Sequence, residues 1–232
     1  MVGRDEGRAV KKRCGEEKVE RSYDILIVGG GIIGSSIAMA LVERGGGEIG
    51  VVDVDLSGKW SSSERNAGGV RATWEQPINI KLAKRSISFY EKIAADVGFQ
   101  QRGYLWLHDE AGWKRTADWL TIQREAGCVI ECLNPAEVQH RFPFLDRLEG
   151  VAGATFSPRD GLINPNLLKL YYRDQASSGV DWIDRHLIEG VVIEGGGVKK
   201  IRLREVPSED AIGRFLKGEG LPAGGAVSEV RV

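Results

Sequence analysis

The chain has 232 residues, of which 42% are apolar and 28% are charged, as in an ordinary globular protein. Its 32 basic and 33 acidic residues give a net charge of −1, so the composition offers no reason to expect nucleic acid or an anionic membrane surface as a partner. No apolar run approaches the ~20 residues that a membrane-spanning helix needs, and we expect no membrane span.

Residues 1–22 are predicted to form a solvated, poorly ordered tail. They mix seven basic with five acidic side chains, have no apolar stretch for a secretory signal, and carry acids that disfavour a mitochondrial presequence. The cysteines Cys14, Cys128 and Cys132 are odd in number, which indicates a reducing compartment and leads us to expect a cytoplasmic location. Cys128 and Cys132 with His140 lack a fourth ligand, so we expect no metal site.

A strand, a glycine-rich turn, a helix and a second strand follow the tail. The pattern predicts a buried strand over residues 24–28, a helix over residues 32–44 and a second buried strand over residues 49–54. The turn reads Gly-Gly-Gly-Ile-Ile-Gly over residues 29–34, which matches G-x-G-x-x-G between a strand and a helix. This arrangement predicts a bound adenine dinucleotide; the alternative is a glycine turn that serves only packing.

Each glycine of the motif has a mechanical task. Gly29 allows the tight turn out of the strand, Gly31 lets a diphosphate approach the backbone, and Gly34 lets the helix lie close to the strand. The first helical turn, which begins with Ile32 and Ile33, has unpaired N–H groups and carries the positive end of the helix dipole. Both properties favour a diphosphate at this position.

An acid near the end of the second strand is expected to bind the ribose. Asp53 lies nineteen residues after Gly34, close to the roughly 20-residue offset of the ribose-binding acid in dinucleotide folds. Asp55 is a rival, because the alternation along the strand does not separate the two, and we prefer Asp53. An acid here favours a free 2′-hydroxyl, which disfavours NADP and leaves NAD or FAD.

Residues 56–71 form a segment too long and too rich in small residues for an ordinary connector. Gly68 and Gly69 would let backbone approach a ligand, and serine and asparagine side chains would supply donors and acceptors for ribitol or phosphate oxygens. A plain surface loop is the alternative.

The middle of the chain alternates helical and strand patterns. Residues 77–97 predict a helix with Pro77 in its first turn, and residues 111–126 predict another. Residues 101–108, 129–133 and 151–156 predict strands, which suggest a mixed sheet forming one wall of a substrate cavity. We interpret the basic flank of the first helix as a solvated face rather than a binding patch; it comprises Lys81, Lys84, Arg85 and Lys92.

The last third predicts one helix and four strands. Asn164 is suited to cap a helix that runs to about residue 178, with Pro165 in its first turn. Residues 180–183 predict a strand that extends the dinucleotide sheet. Residues 187–194, 198–205 and 226–232 predict an antiparallel meander, with residues 207–225 as a polar link.

Two segments carry a family resemblance. The sequences YDILIVGGG at residues 23–31 and SERNAGGVRA at residues 63–72 resemble the FAD-dependent oxidoreductases of the D-amino-acid oxidase superfamily, and within it the sarcosine, glycine and dimethylglycine oxidase and dehydrogenase branch. Residues 102–107, 142–145, 153–156 and 160–165 support this resemblance, which extends to about residue 197.

The resemblance implies an α/β fold, with a Rossmann-like FAD-binding domain of the glutathione-reductase type and part of a mixed-sheet substrate lobe. The implied division is a tail (1–22), a first FAD-binding part (23–76), a partial substrate lobe (77–161) and a second FAD-binding part (162–232). We expect non-covalent FAD, because residues 65–67 occupy the region of the early attachment histidine in the dimethylglycine branch. The residues expected at the cofactor are Gly29, Gly31, Ile32, Ile33, Gly34, Asp53, Val54, Ser61, Arg65, Asn66, Ala67, Gly68, Gly69 and Leu187.

The function implied by the resemblance is oxidation of a small amine or amino acid by hydride transfer to flavin N5. Arg71 is a candidate contact for the substrate carboxylate or the flavin, against a surface or ion-paired arginine, and no catalytic residue can be named. The resemblance covers only the N-terminal half of the family pattern, so the parallel sheet is expected to have an exposed apolar edge. The alternatives are an FAD-binding subunit completed by a second chain, a non-catalytic fragment, and an NAD-dependent dehydrogenase.

Overall fold

The computed structural model describes residues 21–220 and 224–232. The predicted tail over residues 1–22 lies outside the described residues except for Arg21, which bonds Asp181 at 2.9 Å, and Ser22, which bridges to Arg231. The helices and strands in chain order are β1 (Ile25–Val28), α1 (Ile32–Val42), β2 (Ile49–Val52), β3 (Gly69–Val70), α2 (Pro77–Lys92), α3 (Ala94–Val97), β4 (Tyr104–His108), α4 (Glu110–Glu125), β5 (Glu131–Leu133), α5 (Pro135–Arg141), β6 (Gly153–Ser157), β7 (Gly161–Leu162), α6 (Pro165–Ala176), β8 (Val180–Ile183), β9 (His186–Glu194), β10 (Gly197–Glu205), α7 (Glu209–Leu216) and β11 (Val227–Arg231).

A parallel sheet in the order β1-β2-β8 forms the centre of the fold. All four residues of β2 are buried, as expected for a parallel strand covered on both faces. On one face, Val51 packs with Ala38 of α1 and Ala176 of α6, and these small residues allow the two helices to lie close together. On the other face, Val52 packs against the meander through residues such as Leu203. These layers confirm the predicted α/β fold.

The meander is antiparallel in the order β11-β10-β9, as predicted. Residues 207–225, predicted as a polar link, contain helix α7, which was not predicted. Ser208 caps this helix by accepting a hydrogen bond from the Ala211 N–H at 3.2 Å, and two acids follow in the first turn. Ala211 and Ile212 are buried, so tertiary packing on the meander stabilises the helix.

The second sheet, in the order β4-β6-β5, was predicted to be mixed but is antiparallel throughout its described strands. All five residues of β6 are buried, which reflects its central position. The predicted helix over residues 77–97 is divided into α2 and α3, because Ile93 has a non-helical backbone (φ −114°, ψ 23°). Helix α5 was not predicted; it begins with a capping box in which Asn134 and Glu137 bond each other's backbone amides.

Candidate functional site

The glycine turn connects β1 to α1 with the backbone geometry that the motif requires. Gly29 has φ +99°, a left-handed conformation that favours glycine, and its N–H donates to the Val52 carbonyl at 2.8 Å. Gly34 is buried, and a Cβ built on it would overlap the Gly29 carbonyl group. The turn therefore depends on the absence of side chains at both positions.

The N-terminus of α1 is open toward the space beside Gly31. Gly31 is the N-cap and has no side chain to accept a bond from the first turn, and no acid lies in that turn. A Cβ on Gly31 would have only the Ser63 Oγ, at 3.7 Å, near it, and this hydroxyl also accepts a long bond (3.4 Å) from the Ile32 N–H. Ile33, the next helical residue, has an exposed side chain. A diphosphate fits this open cradle of amides, where the helix dipole is positive.

Asp53 lies directly beneath the turn. Its Oδ2 accepts a hydrogen bond of 2.6 Å from the Gly30 N–H, and its Oδ1 accepts one of 3.0 Å from the Asp55 N–H. A carboxylate has about four acceptor positions, so each oxygen keeps one for a ribose hydroxyl. Asp55 differs: one of its oxygens accepts from the Ser57 hydroxyl, and the other is buried without a protein partner among the described residues. The geometry keeps both acids as ribose candidates.

The loop over residues 56–69 is an ordered structure that contacts the turn and the second sheet. Ser61 accepts from the Glu64 N–H at 3.2 Å, and Asn66 accepts from the Gly68 N–H at 2.7 Å, so both side chains shape the loop. Gly68 has φ +77°, and a Cβ on it would overlap the Ile163 carbonyl. The close approach predicted for this glycine is therefore to the chain itself.

The other predicted loop residues lie around this segment. Ala67 is exposed, and the Arg65 guanidinium lies 5.5 Å from the centre of the Trp60 ring. Gly69 belongs to β3, and a Cβ on it would lie 3.3 Å from the Tyr104 ring. The loop thus runs from the glycine turn to the aromatic residues of β4.

Two residues expected at the cofactor, Val54 and Leu187, belong to one cluster of apolar residues. Leu187 is buried with Ile212 of α7, and Val54 and Trp60 pack against them. The Trp60 indole N–H is buried and has no protein partner among the described residues. This wall includes α7, which the sequence analysis did not predict.

Arg71 lies among aromatic rings. Its guanidinium carbon is 5.1 Å, 5.5 Å and 5.0 Å from the ring centres of Trp74, Tyr104 and Trp106, and its Nη1 donates to the Tyr104 hydroxyl at 3.2 Å. The residue lines a cavity of about 370 Å³ with Trp74, Trp106 and His108. An aromatic cage holds a guanidinium by cation–π attraction and leaves its remaining N–H groups free to bind an anion.

Two titratable groups lie next to this cavity. The His108 Nε2 is 3.1 Å from the Thr155 hydroxyl, and burial lowers the pKa of the imidazole below its usual value. Asp160 is buried and accepts a bond of 3.0 Å from the Ala72 N–H, and burial raises the pKa of its carboxyl. Burial therefore disfavours the charged form of each group, and Asp160 fixes the backbone that follows Arg71.

Two basic residues of α6 were missed by the sequence analysis. Lys169 is buried and pairs with Glu64 at 2.5 Å, and Arg173 bonds the carbonyl groups of Gly30 and Leu56. Their spacing of four residues on a predicted helix places them on one face, which is the only signal that the sequence offers for them.

Other parts of the described chain add little to the site. The basic flank of α2 lines an open depression of about 780 Å³, with Lys81, Arg85 and Lys92 exposed and Lys84 donating to the Ala126 carbonyl at 2.6 Å.

Within residues 21–220 and 224–232, no group of three or more His, Cys, Asp or Glu is placed to hold a metal ion. None of the described helices is long and apolar enough to cross a membrane.

Known proteins resemble this chain in sequence and in fold. The family model for "DAO: FAD dependent oxidoreductase" matches residues 24–215. The FAD-dependent oxidoreductase domain-containing protein 1 of Xenopus laevis is 31% identical over 173 residues, which cover 68% of this chain and 34% of that protein. The crystal structure of L-proline dehydrogenase from P. horikoshii has a TM-score of 0.72 and 27% identity, and the match covers 80% of this chain and 50% of that one. Glycine oxidase from Bacillus cereus ATCC 14579 has a TM-score of 0.64 and 26% identity, with 78% and 51% covered.

The chain spans about a third of the length of the Xenopus relative and about half of each of the two crystal structures. The TM-scores show that this chain has the fold of these two structures over the matched part, and the family model matches residues 24–215, so the predicted fold class and family resemblance are both confirmed. Because the family model matches most of its residues, the chain belongs to the DAO family of FAD dependent oxidoreductases.

Proposed function

We propose that the protein is an FAD-dependent oxidoreductase that acts on the CH–NH bond of a small amine or amino acid. The observation that carries this proposal is the open N-terminus of α1 beside Gly31, with the Asp53 carboxylate bonded to the same turn. Family membership selects FAD over NAD as the dinucleotide. A bound FAD would supply the chemistry for removing a hydride from the carbon next to the amine.

The residues of this chain would hold FAD along its length. The amides after Gly31 would bind the diphosphate, and Asp53 would accept bonds from the ribose hydroxyls. The cluster around Val54 and Leu187 would face the adenine. The sequence Arg-Asn-Ala at residues 65–67 has no histidine for covalent attachment, so we propose non-covalent FAD.

Arg71 is our candidate for the substrate carboxylate. Its aromatic cage supplies apolar contacts for a small substrate, and the guanidinium supplies charge-assisted hydrogen bonds. The similarity to an L-proline dehydrogenase and a glycine oxidase supports a substrate with an amine next to a carboxylate. The cavity of about 370 Å³ suits a molecule of this size.

A second candidate function is an FAD-binding subunit whose site is completed by a second chain. It is favoured by β1, which lies at the edge of the described parallel sheet, and by nearby apolar side chains that are exposed to solvent. These are Val28 (66% exposed), Ile33 (76%) and Ile37 (45%). This candidate predicts that the chain alone is insoluble or free of flavin, and that co-expression with the completing chain restores flavin absorbance.

The division into FAD-binding parts at residues 23–76 and 162–232, with a substrate lobe at residues 77–161, is also part of the proposal. So is the cytoplasmic location, which rests on the cysteine content. An NAD-dependent dehydrogenase is the competing assignment, and the test below separates it.

The proposal is tested by titrating the purified chain with FAD and, in parallel, with NAD. We expect FAD to bind saturably with a shifted visible absorbance spectrum, and NAD to bind far more weakly. Flavin that is released intact on denaturation shows that attachment is non-covalent. Saturable NAD binding without FAD binding would contradict the assignment.

A further inference from the structure

Two cations on one face of α6 contact the segments that form the dinucleotide site. Lys169 and Arg173 lie one helical turn apart; Arg173 contacts both the glycine turn and the loop over residues 56–64, and Lys169 contacts the loop. We propose that Lys169 and Arg173 are positioning residues that hold the diphosphate-binding turn in its binding conformation and neutralise the acids around it. This inference rests on the proposed function, because it concerns the same dinucleotide site.

Arg173 fastens the turn to the loop. Its Nη1 donates to the Leu56 carbonyl at 2.5 Å, its Nη2 donates to the Gly30 carbonyl, and its Nε lies 3.4 Å from the Ser35 hydroxyl. The guanidinium carbon lies 5.3 Å from the centre of the Trp182 ring. Only a planar fork of donors can reach these acceptors together, so lysine is a poor replacement.

The bond to Gly30 acts on the group that faces the diphosphate. The Gly30 carbonyl and the Gly31 N–H belong to one peptide unit, and a cation on the carbonyl makes the N–H a stronger donor. On the other side of the same residue, the Gly30 N–H is held by Asp53 at 2.6 Å. Gly30 is therefore fixed through both of its peptide groups.

Lys169 is buried against the loop over residues 56–64 and bonds two of its residues. Its side chain is 2% exposed; its ammonium group donates to the Ser57 carbonyl at 3.0 Å and pairs with Glu64 at 2.5 Å. Gly58 has φ +84°, and a Cβ on it would collide with this ammonium group. A buried cation with fixed acceptors is costly unless each partner is in place, so Lys169 selects one conformation of the loop.

The positive charges of Lys169 and Arg173 also support the proposed role. Burial is the largest effect on Arg173 and lowers the pKa of its guanidinium, while four carboxylates lie close enough to favour the charged form: Asp53, Asp184, Asp55 and Glu64. A diphosphate would add further negative charge beside them. Without the cations of α6, repulsion among these acids and the ligand would weaken dinucleotide binding.

The test measures the dissociation constants of the full chain for FAD and for ADP, which share the diphosphate. Arg173→Ala removes the fork and the charge, and Arg173→Lys keeps only the charge. We expect both constants to rise by a similar factor, at least about ten-fold for alanine and less for lysine. Added methylguanidinium should restore binding to Arg173→Ala. Arg204→Ala is the matched control, because Arg204 is a half-buried arginine paired with Glu189 in the meander, and its loss should leave both constants unchanged.

A purely structural role predicts a different result, in which Arg173→Ala and Arg204→Ala both lower the melting temperature and neither changes the dissociation constants. That result would overturn the inference. If Arg173→Ala does not fold, Arg173→Lys decides by the same comparison. If the wild-type chain binds neither FAD nor ADP, that result contradicts the proposed function. The positioning role of Arg173 is then tested separately by amide hydrogen exchange. The inference predicts faster amide exchange at residues 29–36 and 56–64 in Arg173→Lys, and an unchanged pattern there would refute it.

Discussion

The Gly30 N–H donates a hydrogen bond of 2.6 Å to the Asp53 Oδ2, which joins the start of the glycine turn to the end of β2. The two residues are 23 positions apart in sequence, and their bond brings the acid expected to bind the ribose next to the amides expected to bind the diphosphate. A fixed arrangement of these two groups would lower the cost of binding a dinucleotide.

Replacing Asp53 should weaken FAD binding more than replacing Asp55. Asp53→Ala removes the ribose acceptors and leaves the Gly30 N–H without its partner, and together these losses should raise the dissociation constant at least about ten-fold. Asp55→Ala should have a smaller effect, because the Asp55 side chain contacts Ser57 and not the turn. Flavin fluorescence titrations of the two variants make the comparison. A larger loss in Asp55→Ala would transfer the ribose role to that residue.

Gly34→Ala should destabilise the fold. The added methyl group would overlap the Gly29 carbonyl, so α1 must move away from β1, which should cost about 1–3 kcal/mol in the free energy of unfolding. Gly197→Ala is the matched control, because no atom lies within 4 Å of its Cβ position, and its effect should stay within about 0.5 kcal/mol. Urea denaturation measures both values. Equal effects would show that the close approach at Gly34 has no energetic importance.

Arg71→Ala should weaken the binding of small amino carboxylates to the FAD-loaded protein. Loss of a charge-assisted hydrogen bond costs about 1.5–3 kcal/mol, so the dissociation constants for glycine, sarcosine or L-proline should rise by about ten-fold or more. The readout is the change that these ligands produce in the flavin absorbance spectrum. Arg141→Ala is the control, because Arg141 also lies over aromatic rings, Phe142 and Phe156, but outside the cavity of Arg71. An Arg71→Ala protein with unchanged ligand affinity would remove Arg71 from the proposed site.

His108 should make the protein less stable as the pH falls below 6.5. Burial lowers the pKa of this imidazole from 6.5, so the unfolded chain binds the proton first and acid favours unfolding. Neutral His108 makes its full contribution to the free energy of unfolding above pH 6.5. This contribution is lost as the pH falls toward the lower pKa of the folded state. His108→Gln should reduce the fall in the free energy of unfolding between about pH 7 and pH 5. Thr155→Val removes the hydrogen-bond partner but keeps the titrating group, so its pH dependence should persist. Identical pH profiles for wild type and His108→Gln would contradict this prediction.

The parts of the fold with a local signal were predictable from the sequence. The glycine turn needs a left-handed backbone at Gly29 and no side chain at Gly34, and the motif has glycine at both positions. The meander was also predictable, because apolar and polar residues alternate along its strands and a three-glycine turn joins the first two strands. Helices α5 and α7 were missed although each has a local start signal, Asn134 with Glu137 and Ser208 with two following acids. Both helices are short, and packing on other elements stabilises them more than their own propensity does.

The parts of the site that depend on distant contacts were not predictable. Arg173 and Gly30 are 143 positions apart, and nothing near Arg173 in the sequence indicates that its guanidinium bonds a glycine turn. The aromatic cage of Arg71 is similar, because Trp106 comes from β4 and Trp74 from the segment before α2. Asn66 was expected at the cofactor, and the structure adds a local turn bond in which its side chain accepts from the Gly68 N–H. The roles of these residues toward a cofactor stay predictions.

The most direct test of the account is FAD binding by Gly31→Leu. A Cβ at Gly31 points into open space beside Ser63, so the variant should fold with nearly wild-type stability while its side chain fills the place of the diphosphate. We predict a dissociation constant for FAD at least about ten-fold above that of the wild-type chain, with an unchanged midpoint of urea denaturation. A folded Gly31→Leu protein that binds FAD as tightly as the wild type would show that the diphosphate does not bind at this turn.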